Sequence, residues 1–260
     1  MLKTRIIPFL LIDDGLLKKP LRFVERPRTV ANAISQARVF ESRQVDELIL
    51  LDIGASCESK QKTIRSINSF VVQQIADDLT VPLTVGGGVR DLEAFSQLVA
   101  AGAEKVTLNT GAINSPKLIS DVAARFGSQC VVLSVDVKRH KDGSYEVYSN
   151  NGRVPTGLKP CDWVLTATSA GAGEILINSI DFDGAMKGFD IDAIKAITDV
   201  VKVPVIAAGG AGEPSHFVEV VKKARVSAVA AGSIFFFRST TPLMVKKIMH
   251  KSGIDVRLER

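Results

Sequence analysis

The chain has 260 residues, of which 46% are hydrophobic and 23% are charged, a composition typical of a globular protein with a substantial core. Its formal net charge of +5 suits an anionic small molecule, and its basic residues lack the aromatic interleaving and motifs that indicate nucleic-acid binding. No apolar run approaches the ~20 residues that span a bilayer, the first residues lack a signal-peptide pattern, and Cys57, Cys130 and Cys161 lack metal-ligand spacing. We therefore expect a cytosolic protein without a membrane partner, a metal or a cofactor.

Short apolar or β-branched runs alternate with amphipathic stretches along the whole chain. The predicted strands are Ile6–Leu11, Leu48–Asp52, Leu83–Val85, Val106–Asn109, Val131–Asp136, Ile175–Ser179, Val205–Ala208 and Ala228–Ala231. The predicted helices include Ala31–Val45, Gln61–Leu79, Leu92–Ala101, Ser115–Phe126, Ile191–Val201 and Pro242–Lys251. Eight such units without a composition break predict parallel strands with crossover helices. Asp142-Gly143, between two polar and partly β-branched segments, predicts a small hairpin after the fifth strand.

The ends of the third and fourth predicted strands recur in the second half of the chain. Val85-Gly86-Gly87-Gly88 recurs as Ala208-Gly209-Gly210-Ala211, and Asn109-Thr110 recurs as Gly232-Ser233. Both recurrences have the same offset, because 209 − 86 = 123 and 232 − 109 = 123. A constant offset indicates a duplicated half-structure. We predict one α/β domain over residues 1–260, a (β/α)8 barrel built from two similar half-barrels, in preference to a doubly wound sheet.

Ligands of such barrels bind at the carboxyl ends of the strands, so the strand ends supply the candidate site residues. One glycine run would indicate only a tight turn, but two runs in register predict two phosphate sites formed by backbone N–H groups. Asp183-Gly184 and Gly188 are candidates to complete the second of these. Asp136 ends an apolar strand and is a candidate general acid or base, with capping of the next helix or pairing with Lys138 as an equal alternative.

Four predicted strands begin with a charged residue directly before their apolar run. These residues are Arg5, Glu47, Lys105 and Glu174. Two positive and two negative side chains at the bottom of one barrel could form a self-neutralising ring that closes its base. Charges are also common where strands begin near water, and the residues alone favour this simpler interpretation.

Several motifs, in order along the chain, resemble the cyclase subunit of imidazole glycerol phosphate synthase. They are Arg5-Ile6-Ile7-Pro8, Asp46-Glu47-Leu48 leading to Leu51-Asp52-Ile53, Leu83 to Gly88, Phe126-Gly127-Ser128-Gln129, Gly171 to Leu176, Gly209 to Gly212 and Val256-Arg257-Leu258-Glu259. The resemblance covers nearly the whole chain. It implies a (β/α)8 barrel of two half-barrels, with a glutaminase partner docked at the N-terminal face.

The resemblance also implies a reaction and residues to carry it. In that family, ammonia from the glutaminase enters through a charged gate, which corresponds here to Arg5, Glu47, Lys105 and Glu174. The family substrate, a formimino-linked aminoimidazole carboxamide ribonucleotide, carries a phosphate at each end. Ammonia converts it to imidazole glycerol phosphate and aminoimidazole carboxamide ribonucleotide. The matching phosphate positions are Gly88, Asn109 and Thr110 in one half, Gly184, Gly210, Gly232 and Ser233 in the other, and Lys19 in the first loop.

The catalytic pair of the family is incomplete in this sequence. Two aspartates act there as acid and base; the second corresponds to Asp136, and the first falls on Leu11, which cannot transfer a proton. Losing one member of such a pair typically removes roughly a 10²–10⁴-fold rate contribution. Asp13 shares a face with Leu11 but lies roughly 6–7 Å further along the strand, so we do not expect it to replace the missing acid. Other departures are residues 24–29, Gly54, Asn178 and Ala185-Met186.

Two functions of different classes follow from these observations. In the first, the chain is a cyclase that works through Asp136 with a weakened or relocated partner acid. In the second, it is a divergent paralogue that receives ammonia and activates a glutaminase, as do barrels that accompany sugar amidotransferases in surface-polysaccharide pathways. The mechanism favours the second because of Leu11. An aldose–ketose isomerase on the same half-barrel plan is weaker, since that chemistry also needs the first aspartate and does not need a gate at the base.

Overall fold

The computed structural model describes residues 3–23, 28–55 and 66–258. Eight parallel strands form a closed barrel, in which each strand pairs with the next along the chain and the eighth pairs with the first. They are β1 (Arg5–Asp13), β2 (Leu48–Asp52), β3 (Leu83–Gly86), β4 (Lys105–Leu108), β5 (Val131–Arg139), β6 (Glu174–Ser179), β7 (Val205–Ala208) and β8 (Ala228–Ala231). The predicted (β/α)8 barrel is therefore confirmed, and β2, β7 and β8 have the predicted bounds.

Helices follow the strands and cover the outside of the barrel. They are α1 (Ala33–Ser42), α2 (Ser69–Ala76), α3 (Leu92–Ala100), α4 (Thr110–Asn114), α5 (Lys117–Phe126), α6 (Pro160–Ser169), α7 (Ile191–Thr198), α8 (Pro214–Ala224), α9 (Ser233–Phe237) and α10 (Pro242–Lys251). A single 3₁₀ turn covers Ser128–Cys130. In the described ranges, no helix has the length and apolar character to cross a membrane.

Two strand additions extend the barrel at its carboxyl end. Leu16–Lys19 pairs antiparallel with the end of β1 and with Arg28–Asn32. Tyr145–Ser149 pairs antiparallel with the end of β5, and Val154–Pro155 pairs with Tyr145–Ser149. The turn between β5 and Tyr145 contains Gly143 at φ 88°, so the predicted hairpin is confirmed.

Side chains of each strand alternate between two apolar layers. The larger layer fills the space between strands and helices and includes Ile6, Leu10 and Phe40. The smaller layer fills the barrel itself. It consists of Ile7, Phe9, Ile49, Val132, Leu176, Ile206, Ala208, Ala228 and Ala230, with Leu11 and Leu51 packed against it.

The internal repeat is visible in the backbone. After β4 the short helix α4 begins at Thr110, and after β8 a helix of the same five-residue length, α9, begins at Ser233. The offset is again 233 − 110 = 123 residues. The residues before them, Asn109 and Gly232, have similar backbone angles, φ −131° with ψ −95° and φ −121° with ψ −71°. Equivalent strands of the two halves thus end in equivalent loops.

Five of the predicted helices are shorter in the structure than the sequence suggested, and two of them begin late at an asparagine cap. The prediction Gln61–Leu79 was wrong at its start, because α2 begins after Asn68, whose extended backbone and side chain cap the N–H of Phe70. Residues 61–65 of that prediction lie outside the described residues. Similarly, Asn32 caps α1, which therefore begins two residues later than predicted. In both cases an asparagine competes with continuation of the helix towards its N-terminal side.

Candidate active site at the barrel mouth

The carboxyl ends of the strands surround one cavity, which we call the mouth. All eight predicted phosphate-binding residues line it, together with Asp136 and Leu11. The first cradle is defined as Gly88, Asn109 and Thr110, and the second cradle as Gly184, Gly210, Gly232 and Ser233. The two cradles belong to different halves of the barrel, so the mouth has two polar ends. Their role in phosphate binding is a prediction.

Both cradles need glycine for steric reasons. In the first half, Gly87 and Gly88 have φ 122° and 70°, and a Cβ atom on Gly87 would overlap the backbone of Asp52. In the second half, Gly210 has φ 111°, and a Cβ atom there would overlap the carbonyl oxygen of Gly188. The Gly188 N–H donates to the Gly210 carbonyl oxygen at 2.9 Å, so these two loops are in direct backbone contact. Only glycine combines this φ region with such a close approach.

Side chains of the first cradle connect it to Asp136. Asn109 Nδ2 donates to Asp136 Oδ2 at 3.0 Å, which holds the carboxyl group beside the cradle. Thr110 Oγ1 accepts the backbone N–H of Asn150 at 2.9 Å, so the loop after Tyr145–Ser149 reaches the same cradle. Asp136 is buried and in register with Asn178 on β6. It neither caps a helix nor pairs with Lys138 in the contacts that the structure describes.

Lys19 reaches into the second cradle from the first loop. Its Nζ donates to the Phe9 carbonyl oxygen at 3.0 Å and lies 4.5 Å from the ring centre of Phe236. It also lies close to Gly232, where a Cβ atom would overlap it. Lys19 therefore lies beside the N-terminus of α9, a position that is suited to an anionic ligand.

Three titratable groups of the mouth have shifted pKa values. Burial raises the pKa of Asp136 to about 7, with a further increase from the charge of Asp183 and a decrease from the Asn109 hydrogen bond. Burial also raises the pKa of Asp183 to about 6, opposed by Lys19, and lowers the pKa of Lys19 to about 7, opposed by Asp183. At neutral pH, Asp136 therefore exchanges a proton readily, as a general acid or base requires.

The β1 side of the mouth is apolar. Leu11 is half-buried and packs, with Leu51 of the neighbouring strand, against the apolar layer inside the barrel. Asp13 is the last residue of β1 and lies against Gly54, where a Cβ atom would overlap its carboxyl group. Asp13 does not line the mouth. That Asp13 does not replace the acid expected at the position of Leu11 stays a prediction.

At the opposite end of the barrel, four charged side chains form a closed ring, here called the basal ring. Arg5 pairs with Glu47 at 2.5 Å and with Glu174, while Lys105 pairs with Glu47 at 3.1 Å and with Glu174 at 2.8 Å. Each carboxylate thus contacts both cations. The two glutamates are almost fully buried, with side-chain exposures of 1% and 6%. These are the four residues from which the sequence suggested a ring.

Sequence reasoning missed one residue of these sites and two properties of residues that it had already placed at the mouth. Thr84 Oγ1 donates to Glu47 Oε1 at 2.6 Å and so supports the basal ring from β3. Asp183 contributes a carboxyl group to the mouth, although the sequence suggested only its backbone. Asn178 lines the mouth with a buried Oδ1 that has no hydrogen-bond partner in the described part of the chain. The signal available for Thr84 was strand alternation, which places it on the inward face with Gly86 and Gly88.

No metal site is formed by the described residues, since they contain no group of three His, Cys, Asp or Glu side chains that could hold an ion. Cys130 and Cys161 are free thiols. Cys57 lies outside the described residues.

The fold and this site define a (β/α)8 barrel protein of two equivalent halves, with a ring of charged side chains at its base and, at its mouth, two glycine-containing cradles beside the carboxyl groups of Asp136 and Asp183. The family model described as "Histidine biosynthesis protein" matches residues 5–241. The chain is 42% identical over 258 residues to the imidazole glycerol phosphate synthase subunit HisF of Streptococcus sanguinis strain SK36. It is 41% identical to that of Streptococcus gordonii strain Challis and 40% identical to that of Streptococcus mutans serotype c. Each match covers 99% of this chain and all of the relative. The chain belongs to the HisF family of histidine biosynthesis proteins.

Proposed function

We propose that this chain is the ammonia-receiving barrel subunit of a two-component amidotransferase, with a glutaminase docked at its N-terminal face. One observation carries the proposal: β1 bears Arg5 of a complete basal ring at one end and Leu11, in place of an acid, at the other. The residues proposed for ammonia entry are therefore all present, whereas the proposed acid–base pair lacks one of its two members. We expect this assembly to work in the cytosol.

The basal ring is suited to control entry of a small neutral molecule. Its four ion pairs close the base, and a glutaminase that disturbed one pair would leave the other three in place. Above the ring, the barrel is filled by apolar side chains, among them Ile7, Ile49 and Leu176. An apolar interior favours neutral ammonia over ammonium, because a charged ion loses its hydration there.

At the mouth, we propose that the two cradles bind a ligand with a phosphate at each end. Lys19 adds a positive charge to the second cradle, and Asn109 and Thr110 add polar groups to the first. Beside β1, Leu11 offers the middle of the ligand an apolar contact and no proton. The mouth would therefore bind such a ligand without cyclising it efficiently. In this proposal, the acceptor of the ammonia is instead a sugar bound to another enzyme, as in surface-polysaccharide amidation.

A working cyclase is the second candidate, and two observations favour it. The chain matches the streptococcal HisF subunits over their whole length, and burial gives Asp136 a pKa of about 7. In this alternative, Asp136 carries out both proton transfers, or a water molecule in the mouth takes the place of the missing acid. Either variation would leave a measurable cyclase rate.

A cyclase assay with the formimino substrate and saturating ammonium salt distinguishes the two candidates. We expect the unaltered protein to turn over poorly and Leu11→Asp to increase the rate by about 10²-fold or more. The matched control is Leu51→Asp, which introduces a carboxyl group beside the same apolar layer but on β2. An unaltered protein that works at ordinary enzyme rates, with no gain from Leu11→Asp, would refute the proposal and establish the second candidate.

A further inference from the structure

A buried ion pair lies directly outside the basal ring. Lys246, on α10, has a side-chain exposure of 1%, and its Nζ donates to Asp46 Oδ1 at 2.6 Å and to the Gln44 carbonyl oxygen at 2.7 Å. Asp46 has a side-chain exposure of 6% and uses its other oxygen, Oδ2, to accept the backbone N–H of Ile6 at 2.8 Å. One lysine thus holds a carboxylate that is itself bonded to the backbone of β1.

The position of this pair along the strands is informative. Ile6 directly follows Arg5, and Asp46 directly precedes Glu47. Because strand neighbours point to opposite faces, Ile6 faces the outer layer while Arg5 reaches the inward basal ring. Lys246 therefore lies outside the barrel and contacts the starts of β1 and β2 through Asp46. On the inside, the same two strand starts carry Arg5 and Glu47 of the basal ring.

A second anchor acts on the other side of Arg5. Thr4 forms a parallel bridge with Val256, and its N–H donates to the Asp255 carbonyl oxygen at 2.8 Å. Arg5 is thus flanked by two residues, Thr4 and Ile6, that are both fixed by the C-terminal part of the chain. The tail after α10 holds the first, and Lys246 holds the second through Asp46.

We propose that Lys246 is a positioning residue for the basal ring, and that α10 sets the geometry in which Arg5 meets Glu47. Arginine binds carboxylates through a planar fork, so its ion pairs are sensitive to small shifts of the backbone that carries it. Removing Lys246 leaves the Asp46 carboxylate buried without its cation, which is strongly unfavourable. The carboxylate then turns towards water, and the Ile6 N–H loses the bond that fixes the start of β1.

The importance of this arrangement for ammonia entry rests on the proposed function, but the ring geometry is measurable in the isolated chain. The test compares Lys246→Met with Val245→Ala, which opens a small cavity at the neighbouring buried position of the same helix. NMR spectra of the arginine side chains report rotation of the Arg5 guanidinium group, and the signals are assigned by their loss in Arg5→Lys. Rotation is slow while both nitrogens hold carboxylates.

We expect Arg5 rotation at least about tenfold faster in Lys246→Met than in the unaltered protein, and nearly unchanged in Val245→Ala. Equal rotation rates in Lys246→Met and Val245→Ala would overturn the proposal, because Lys246 would then support only the fold. If Lys246→Met does not fold, the double variant Lys246→Met/Asp46→Leu decides, since it leaves no unpaired buried charge and removes the acceptor of the Ile6 N–H. Faster rotation in the double variant than in Val245→Ala supports the proposal, and an equal rate overturns it.

Discussion

Asn109 donates a hydrogen bond from Nδ2 to Oδ2 of Asp136 at 3.0 Å, and so joins a cradle residue that follows β4 to the candidate acid–base group of β5. The bond favours the charged form of Asp136, and it opposes the larger effect of burial, which raises the pKa to about 7. Asn109 therefore links the first cradle to the protonation of Asp136.

Replacing Asn109 by alanine is expected to raise the pKa of Asp136 further. The variant removes a donor to the carboxylate, and one hydrogen bond to a charged group corresponds to about one pKa unit. NMR titration of the Asp136 carboxyl carbon measures the change. Ser233→Ala is the control, because Ser233 lines the same mouth in the second cradle, in the other half of the barrel. A pKa that stays the same or falls in Asn109→Ala contradicts this account of the bond.

Asp136→Asn is expected to increase stability at pH 8. Between the ordinary aspartate pKa of 3.8 and the folded value of about 7, the folded protein holds a proton that the unfolded chain has released. Protonated Asp136 therefore makes its full contribution to stability below pH 3.8, and this contribution is lost as the pH rises through about 7. The variant avoids that loss, so we expect a gain of about 1–3 kcal/mol at pH 8 that disappears near pH 4.

Urea unfolding at a series of pH values measures this gain. Asp142→Asn is the control, because Asp142 is exposed in the hairpin turn and its pKa is lowered by hydrogen bonds from Ser144. The control is expected to show no gain at pH 8. A constant stability difference between Asp136→Asn and the unaltered protein from pH 4 to pH 8 would show that the Asp136 pKa is not raised.

Relative to the unaltered protein, Lys19→Met is expected to become less stable as the pH rises, whereas Asp136→Asn is expected to become more stable. Burial lowers the pKa of Lys19 from 10.5 to about 7, so the unfolded chain binds an extra proton between these values. The unaltered protein therefore gains stability as the pH rises from about 7 to about 10, and the variant does not. The stability of Lys19→Met relative to the unaltered protein should fall over this range. Thermal unfolding of Lys18→Met, a change at the adjacent position, should show no such trend.

Gly210→Ala is expected to be more destabilising than an alanine at another glycine with positive φ. Gly157 has φ 74°, and a Cβ atom added there would meet no other atom within 4 Å, so Gly157→Ala carries only the backbone cost of about 1 kcal/mol. At Gly210 the new Cβ atom also overlaps the Gly188 carbonyl oxygen. We expect an additional cost of about 1–3 kcal/mol in urea unfolding. Equal costs for the two variants would mean that the loop contact between Gly188 and Gly210 is not tightly packed.

The barrel was predictable from sequence because its signals are local. The apolar run Leu48–Asp52 lies between charged and small residues, and its bounds agree with β2. The constant offset of the glycine runs identified the halves without any knowledge of contacts. The start of α2 was not predicted correctly, because the cap at Asn68 interrupts an amphipathic pattern that continues on both sides.

Contacts between distant residues were predictable only in part. The four basal-ring residues could be suspected because each occupies the same place at a strand start, although Arg5 and Glu174 are 169 residues apart. No repeated pattern marks Lys246 and Asp46, which are 200 residues apart and meet only because α10 packs behind β1. The pKa shifts at Lys19 and Asp136 also depend on burial, which follows from how distant elements of the barrel pack around the mouth.

Our central proposal is that the mouth binds a ligand with two phosphates but lacks the acid that cyclisation needs at Leu11. The most direct measurement combines calorimetric binding of the formimino substrate to the unaltered protein with product formation by the same sample in saturating ammonium. We predict binding at one site per chain, with turnover at least about 10²-fold below the ordinary range of about 1–10³ s⁻¹. Turnover within that range, or no binding at all, would contradict the proposal.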